Sequence, residues 1–150
     1  FTAALTTTVT DVAPLKNGGF VFCTNATNTT TAQLYAAAGV AGAAATSALP
    51  LPTLGALAAS GCIEDANGNI IVAYTSAIRS YNSTLTTVNW SYQDTNNLSN
   101  TGKLAVRSNG NILVTDRTFN HIVELNSSGG LVQLIGGAVL STPFNIAVVP

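Results

Sequence analysis

Few side chains in this 150-residue sequence can carry catalytic chemistry, and they do not cluster. His121 is the only histidine, so one copy of the chain cannot supply the two or three imidazoles of a usual catalytic zinc site. The adjacent carboxylates Glu64 and Asp65 lack the spacing of a calcium loop, and we interpret them as a strand end that enters a turn. No nucleophile elbow, phosphate-binding loop or Ser/His/Asp set occurs. The sequence therefore predicts no catalytic constellation, no metal site and no cofactor.

A second polar group consists of Asp116, Arg117 and Asn120. These residue types suit a site for a polar ligand. An aspartate at a turn also commonly accepts hydrogen bonds from the backbone N–H groups that follow it. We favour this second interpretation, and we interpret His121 as a residue at the start of a strand with a local hydrogen bond.

Three aromatic residues are candidates for contacts with a ligand or a partner: Trp90 and Tyr92, with Tyr81 nearby. Residues two apart in a strand share one face, so Trp90 and Tyr92 could stack on a sugar or a partner protein. Packing between neighbouring sheets is the commoner use of such a pair.

The two cysteines, Cys23 and Cys62, permit a disulfide that would close a loop of about 40 residues. Buried free thiols that pack as small apolar side chains are the alternative. The sequence leaves both readings open.

Six Asn-X-Ser/Thr sequons are candidate sites for N-linked glycans. Most fall in predicted turns or loops, where a glycan is tolerated, whereas Asn82 and Asn89 fall in predicted strands. The six asparagines are Asn25, Asn28, Asn82, Asn89, Asn97 and Asn126.

Charge is scarce: only 7% of the residues are charged, against about 25% in a typical domain. The net charge is −1, and five cations are too few for the roughly six to ten phosphates of a usual nucleic-acid footprint. No apolar run reaches the roughly 18 residues of a membrane span. The chain has no methionine and no signal-peptide pattern, so we expect a processed mature form or a piece of a longer protein.

Three Asn-Gly turns, each followed by an apolar run, indicate a repeat of the length of one four-stranded propeller blade. They begin at Asn17, Asn67 and Asn109. The predicted strands of the three repeats are Thr10–Leu15, Phe20–Cys23 and, after a polar insertion at Asn25–Thr31, Ala32–Ala37; Gly61–Asp65, Asn69–Tyr74, Ile78–Asn82 and Thr86–Tyr92; and Lys103–Ser108, Asn111–Asp116, His121–Asn126 and Leu131–Ile135.

The sequence thus predicts an all-β, β-propeller-like chain of antiparallel four-stranded blades, with about three blades and the start of a fourth. The repeats occupy residues 9–59, 60–100 and 101–141, and residues 142–150 begin the next. Thr142–Val149 aligns with the first strand of the third repeat. Phe1–Thr8 is interpreted as a lone strand that completes the outer edge of another blade.

The third repeat resembles an NHL repeat, the blade unit of one β-propeller family, over Leu104–Ile135. The matching pattern is an apolar strand, the run NGNILVTD that ends at Asp116, a turn that contains Asn120, and the strand IVEL. In the second repeat NGNIIV and IRSYN match, but Tyr74 stands in place of the aspartate, which implies that the polar clasp between strands is missing there. The first repeat matches in little beyond NGGFVF. The resemblance implies a propeller, and the family's functions range from protein- and RNA-binding platforms to a lyase.

Three and a fraction blades cannot close a ring, so we expect further blades of a longer chain or copies of this chain as partners. The leading functional hypothesis is an extracellular structural or adhesive protein whose blades self-assemble into a filament or surface layer. The low charge favours dense association, and the small residues of Ala36–Ala45 would permit close backbone approach, although this stretch could equally be a loose connection. The alternatives are a propeller that binds a glycan or protein ligand, and a fragment of a propeller enzyme.

Overall fold

The structure, a computed structural model, describes residues 8–25, 30–35, 41–46 and 58–149. Twelve strands form three four-stranded antiparallel sheets in chain order, which we call blades 1, 2 and 3. Blade 1 contains β1 (Val9–Pro14), β2 (Phe20–Thr24), β3 (Thr30–Tyr35) and β4 (Ala41–Thr46). Blade 2 contains β5 (Ala59–Glu64), β6 (Ile70–Tyr74), β7 (Ala77–Tyr81) and β8 (Val88–Gln93). Blade 3 contains β9 (Thr101–Val106), β10 (Ile112–Asp116), β11 (His121–Leu125) and β12 (Leu131–Ile135).

Each strand pairs with its neighbour in sequence, so every blade is a meander. The first strands lie side by side, β1 against β5 and β5 against β9, which places them on the inner side of a ring sector. Among the described residues no helix has the length and apolar character needed to cross a membrane.

The strand order predicted for blades 2 and 3 is confirmed, with ends that differ by at most two residues. In blade 1 the polar insertion is shorter than predicted, and a loose connection, one of the two alternatives for the small-residue stretch, does not hold for its described part. The polar insertion Asn25–Thr31 already contains the start of β3 at Thr30, and part of the small-residue stretch Ala36–Ala45 forms the outer strand β4. Backbone pairing with β3 holds β4 in place without an alternating apolar pattern. The segment Phe1–Thr8 lies outside the described residues except for Thr8.

The Asn-Gly turns join the first two strands of each blade, as predicted, but only the glycine takes a positive φ: 83° at Gly18, 83° at Gly68 and 84° at Gly110. The asparagine of each turn keeps a negative φ. In the third turn the Asn109 side-chain oxygen accepts the N–H of Asn111 at 3.0 Å, which closes the turn with the asparagine in an ordinary conformation.

Two apolar interfaces hold the blades together. The first lies between blades 1 and 2, and its buried members are Ala13, Val21, Cys23, Ala32, Ala59, Cys62, Ile70, Val72, Tyr74, Ala77, Tyr81 and Leu85. The second lies between blades 2 and 3, and its buried members are Ile71, Ala73, Ile78, Leu98, Leu104, Ile112, Val114, Val123 and Leu125. Successive side chains of blade 2 point to opposite faces, and each face packs against a neighbouring blade. Every residue of β6 and β7 is therefore buried.

The segment predicted to begin a fourth blade, Thr142–Val149, runs beside blade 3 without forming a strand. Its Phe144 carbonyl accepts the N–H of Lys103 at 3.0 Å and the Thr115 hydroxyl at 3.1 Å. The segment therefore lies next to β9, on the side where a further inner strand would lie.

Blade 3 carries a buried carboxylate, Glu124, which is 2% exposed. Its Oε1 accepts Asn111 Nδ2 and its Oε2 accepts Gln133 Nε2, both at 2.7 Å, while Arg107 Nε lies 3.6 Å from Oε1. The hydrogen bonds from Asn111 and Gln133, together with the positive charge of Arg107, outweigh burial and lower the pKa of Glu124 below its ordinary value of 4.5.

We expect Glu124→Gln to destabilise the fold at neutral pH and to do so less in acid. The folded-state pKa is lower than that of the unfolded chain, so the stabilisation is fully present above the ordinary value of 4.5 and is lost as pH falls through the lowered folded value. Urea unfolding of both proteins at about pH 7 and about pH 2.5 measures the difference. An equal loss of stability at both pH values would contradict this prediction.

Candidate functional site

A cleft of about 360 Å³ opens at the end of the ring axis where the inner strands begin, and we call it the axial cleft. Its walls come from all three blades, because the starts of β1, β5 and β9 meet there with the residues that directly follow β2, β6 and β10. The lining residues are Thr10, Asn25, Ala58, Ala59, Ser60, Thr75, Asn100, Thr101, Arg117 and Phe144.

Hydroxyl groups connect two blades at this cleft. The Thr101 hydroxyl donates to the Tyr74 carbonyl at 2.8 Å, and Ser60 Oγ lies 2.6 Å from Thr101 Oγ1. Ser60 near the start of β5 and Thr101 at the start of β9 are thereby hydrogen-bonded to each other, and Thr101 also to the end of β6.

Arg117 supplies the positive charge of the cleft. Its Nη2 donates to Asn100 Oδ1 at 2.5 Å, and its guanidinium carbon lies 5.1 Å from the centroid of the Phe144 ring. Its Nε is buried and has no hydrogen-bond partner in the part of the chain that the structure describes. The guanidinium is therefore held in place while one of its donors stays unused.

The interpretation of Asp116 as a turn cap is confirmed. Its Oδ1 accepts the N–H groups of Thr118 and Phe119, both at 2.9 Å. Its Oδ2 accepts those of Ser99 at 2.8 Å and Asn100 at 2.9 Å. With four backbone donors on a fully buried carboxylate, Asp116 joins the segment before β9 to the turn after β10 and is not available to a ligand.

Farther along the axis an ion pair joins the outer two blades across the middle one. Lys103 Nζ lies 3.0 Å from Asp11 Oδ1, and it also donates to the Thr10 carbonyl. Gly61 lies between them on β5, and a Cβ there would meet Asp11 Oδ2 at 3.3 Å and the Gly102 carbonyl at 3.1 Å. Because Gly61 has no side chain, the Lys103 and Asp11 side chains can meet across β5.

The remaining polar candidates serve the backbone. His121 is the first residue of β11, which confirms its predicted place, but its hydrogen bond is not local: its Nε2 lies 2.8 Å from the carbonyl of Asn97, in the segment before β9. Asp65 Oδ1 accepts the N–H groups of Asn67 and Asn69, both at 2.8 Å, so this carboxylate closes its turn as interpreted. Within the described residues no group of three or more His, Cys, Asp or Glu could hold a metal ion.

The aromatic candidates pack between blades, the use favoured from the sequence; full burial rules out a ligand or partner contact for Tyr81, whereas Trp90 and Tyr92 stay half-buried. Tyr81 is fully buried in the first interface, where its hydroxyl lies 2.8 Å from that of Tyr74. Trp90 and Tyr92 share one face of β8 and pack against the second interface. The Trp90 Nε1 donates to the Ser127 carbonyl at 3.0 Å, so the indole covers the turn between β11 and β12.

Tyr92 and Asp94 form a local pair next to that interface. The Tyr92 hydroxyl donates to Asp94 Oδ2 at 3.0 Å. Burial, and then the hydrogen bond to the Asp94 carboxylate and its negative charge, raise the pKa of Tyr92 to about 12. Tyr92 is thus a neutral hydrogen-bond donor at physiological pH.

Both cysteines are buried free thiols in the first interface, the second of the two alternatives drawn from the sequence. Burial, and then a hydrogen bond with Cys62, raise the pKa of the Cys23 thiol well above its ordinary value. The thiols therefore pack as small apolar groups.

The sequons occupy different environments. Asn25 and Asn126 are exposed at turns, whereas Asn97 is half-buried and donates through Nδ2 to Asp94 at 2.6 Å. Asn82 follows β7 rather than lying within it, and Asn89 lies on β8 as predicted. Asn28 lies outside the described residues.

No protein-family model matches the chain, and no curated protein sequence matches it. Solved structures do. Virginiamycin B lyase from Staphylococcus aureus matches with a TM-score of 0.80 and 20% identity, over 98% of this chain and 48% of that one. The fold is that of a β-propeller. A protein of unknown function from Bacteroides caccae matches with a TM-score of 0.68 and 19% identity, over 96% of this chain and 50% of that one. The WD40 repeats of RRP9 match with a TM-score of 0.72 and 8% identity, over 88% of this chain and 39% of that one.

The propeller segment thus spans half or less of the length of these structures, and at such identities the likeness shows the fold alone. The sequence indicated Arg117 as part of a possible site for a polar ligand, but it did not indicate Ser60 and Thr101, which also line the axial cleft. The signal that could have found them is their place in the repeat, because polar residues at the start of each inner strand converge at one end of the axis.

Proposed function

We propose that this chain is part of an NHL-type propeller that binds a small polar ligand in the axial cleft and does not catalyse a reaction. The observation that carries the proposal is the cleft itself, in which three blades bring together fixed hydroxyls and a guanidinium with an unused donor. Its volume of about 360 Å³ lies at the lower end of the range of pockets that hold small molecules.

The contacts of Asp116 in blade 3 support the NHL assignment within the propeller fold. Asp116 ends the run NGNILVTD and clasps two backbone segments, the role that the resemblance implies for this position. In blade 2 the corresponding Tyr74 instead places its hydroxyl against Tyr81, at 2.8 Å. Blade 3 therefore keeps the polar clasp of the repeat, and blade 2 replaces it with an aromatic contact.

The proposal is tested by filling the cleft. Backbone amide shifts are followed by NMR while a panel of simple monosaccharides, amino acids and carboxylic acids is added to the chain. We expect saturable shifts at Ser60 and Thr101 that disappear in Ala58→Trp, because Ala58 lines the cleft. The matched control is Ala66→Trp, an exposed alanine in the turn at the opposite end of β5, which should leave binding unchanged. Shifts that survive Ala58→Trp, or no shift with any member of the panel, would contradict the proposal.

Self-association is the second candidate function, and the edge strand β12 favours it. Leu131, Val132 and Leu134 are each 43–48% exposed on this strand, an unusual concentration of apolar surface at a sheet edge. We propose that copies of the chain cover this strand in an extracellular filament or surface layer. Sedimentation of the wild type and of Leu134→Lys tests it: a concentration-dependent oligomer that the variant abolishes is expected, and a monomer at every concentration would exclude it.

We further propose covalent glycans on this extracellular form. Asn126 is the better site, because it is exposed in the turn between β11 and β12 and does not line the axial cleft. Asn25 is also exposed, but it lines the cleft in which we propose that a ligand binds. The intact mass of the protein purified from its natural source decides: an excess that peptide N-glycosidase removes is expected, and a mass equal to the bare sequence would refute it.

A further inference from the structure

We propose that the axial cleft recognises a carboxylate group and that the Arg117 guanidinium binds it, so that the ligands of this site are small carboxylic acids. This inference rests on the proposed function, since it names the ligand class of the same cleft.

Arg117 differs from two other cations that lie near the axis and blade 3. Lys103 pairs with Asp11 at 3.0 Å, and Arg107 lies 3.6 Å from Glu124. No ion pair involves Arg117 among the described residues. In a chain with only six Asp and Glu residues, a positive charge that lines a cleft without a carboxylate partner is available to a negative ligand.

The neighbouring Asp116 does not neutralise this charge through a direct contact. Both of its oxygens accept backbone N–H groups, from Thr118 and Phe119 on one side and from Ser99 and Asn100 on the other. Both carboxylate oxygens of Asp116 are therefore used by the backbone, and neither accepts a hydrogen bond from the Arg117 guanidinium.

The contacts of the guanidinium hold it in one orientation. Asn100 binds Nη2, and the ring of Phe144 lies against the guanidinium face at 5.1 Å. The Nε–H has no acceptor, and a buried donor without an acceptor costs free energy. A carboxylate presents two oxygens that match the N–H groups of arginine, so in the cleft it would supply the countercharge that the guanidinium lacks.

Charge and shape are separated by comparing benzoate with its neutral isostere benzamide. We expect benzoate to shift the Arg117 Nε–H resonance and the Asn100 amide saturably, and benzamide to shift neither. Arg117→Gln should weaken benzoate binding at least about tenfold, because it removes both the charge and the fork of donors. Arg107→Gln is the matched control, since Arg107 is an exposed arginine at the other end of β9 and its loss should leave binding unchanged.

Each outcome decides a different claim. Equal binding of benzoate and benzamide at the cleft would overturn the carboxylate inference and leave the proposed function intact, as would undiminished benzoate binding by Arg117→Gln. If neither compound nor any member of the broader panel binds, both proposals fail. Should Arg117→Gln not fold, Arg117→Lys decides, because lysine keeps the charge but lacks the Nε–H: weaker benzoate binding supports the inference, and unchanged binding overturns it.

Discussion

Replacing Asp116 with alanine should lower the free energy of unfolding by about 3–5 kcal/mol, a large part of the stability of a domain of this size. The substitution removes the acceptor of four backbone N–H groups at a site that is fully buried. Each donor left without a partner costs free energy, and water cannot reach the site to replace the carboxylate. Urea unfolding followed by circular dichroism measures the loss.

Asp94→Ala is the matched control for this experiment. The Asp94 carboxylate accepts the N–H of Asn96 at 2.9 Å and Nδ2 of Asn97 at 2.6 Å, but it is only half-buried, so water can replace it. We expect a loss of about 1 kcal/mol or less. Equal losses for the two variants would mean that burial of the four donors is not what makes Asp116 important.

Gly102→Ala should destabilise the protein by about 2–3 kcal/mol and release the segment that contains Phe144 from blade 3. A Cβ at this position would lie 2.3 Å from Thr115 Oγ1 and 2.6 Å from the Phe144 carbonyl oxygen. Neither atom can move freely, because the Thr115 hydroxyl accepts the N–H of Lys103 at 3.0 Å and the other atom belongs to the backbone. Amide hydrogen exchange of Lys103, whose N–H also donates to Phe144, should therefore become faster.

Gly137→Ala provides the comparison, because a Cβ at Gly137 would meet nothing within 4 Å. Its effect should stay within about 0.5 kcal/mol. If Gly102→Ala were equally neutral and exchange at Lys103 did not change, the close approach of this segment to β9 would not contribute to stability.

The local signals of the sequence predicted much of the fold. Asn-Gly turns and apolar alternation predicted the strands of blades 2 and 3, because these features act over a few residues. They missed β4, whose residues Ala41–Thr46 have no alternating pattern and whose place depends on pairing with β3. Tyr81 was considered for a ligand contact but is buried, for a related reason. Blade 2 has a neighbouring blade on each face, so the alternation of side chains along β7 does not distinguish exposed from buried positions.

The candidate site was less predictable than the fold. The capping role of Asp116 was foreseen because it depends mostly on the adjacent turn. The axial cleft combines residues as far apart in sequence as Thr10 and Phe144, and it exists only when the three inner strands lie side by side. Such a site depends on the relative placement of whole blades, which no local pattern specifies.

The ion pair across Gly61 makes the order of the blades part of the sequence information. Asp11, Gly61 and Lys103 are each the third residue of an inner strand. The same position of the repeat therefore carries an acidic side chain in blade 1, no side chain in blade 2 and a basic side chain in blade 3. A chain designed by repeating blade 3 three times would place three lysines side by side at that position, without the carboxylate or the gap that Lys103 uses here. The blades are therefore not interchangeable modules, and exchange or duplication of one blade would have to change this position as well.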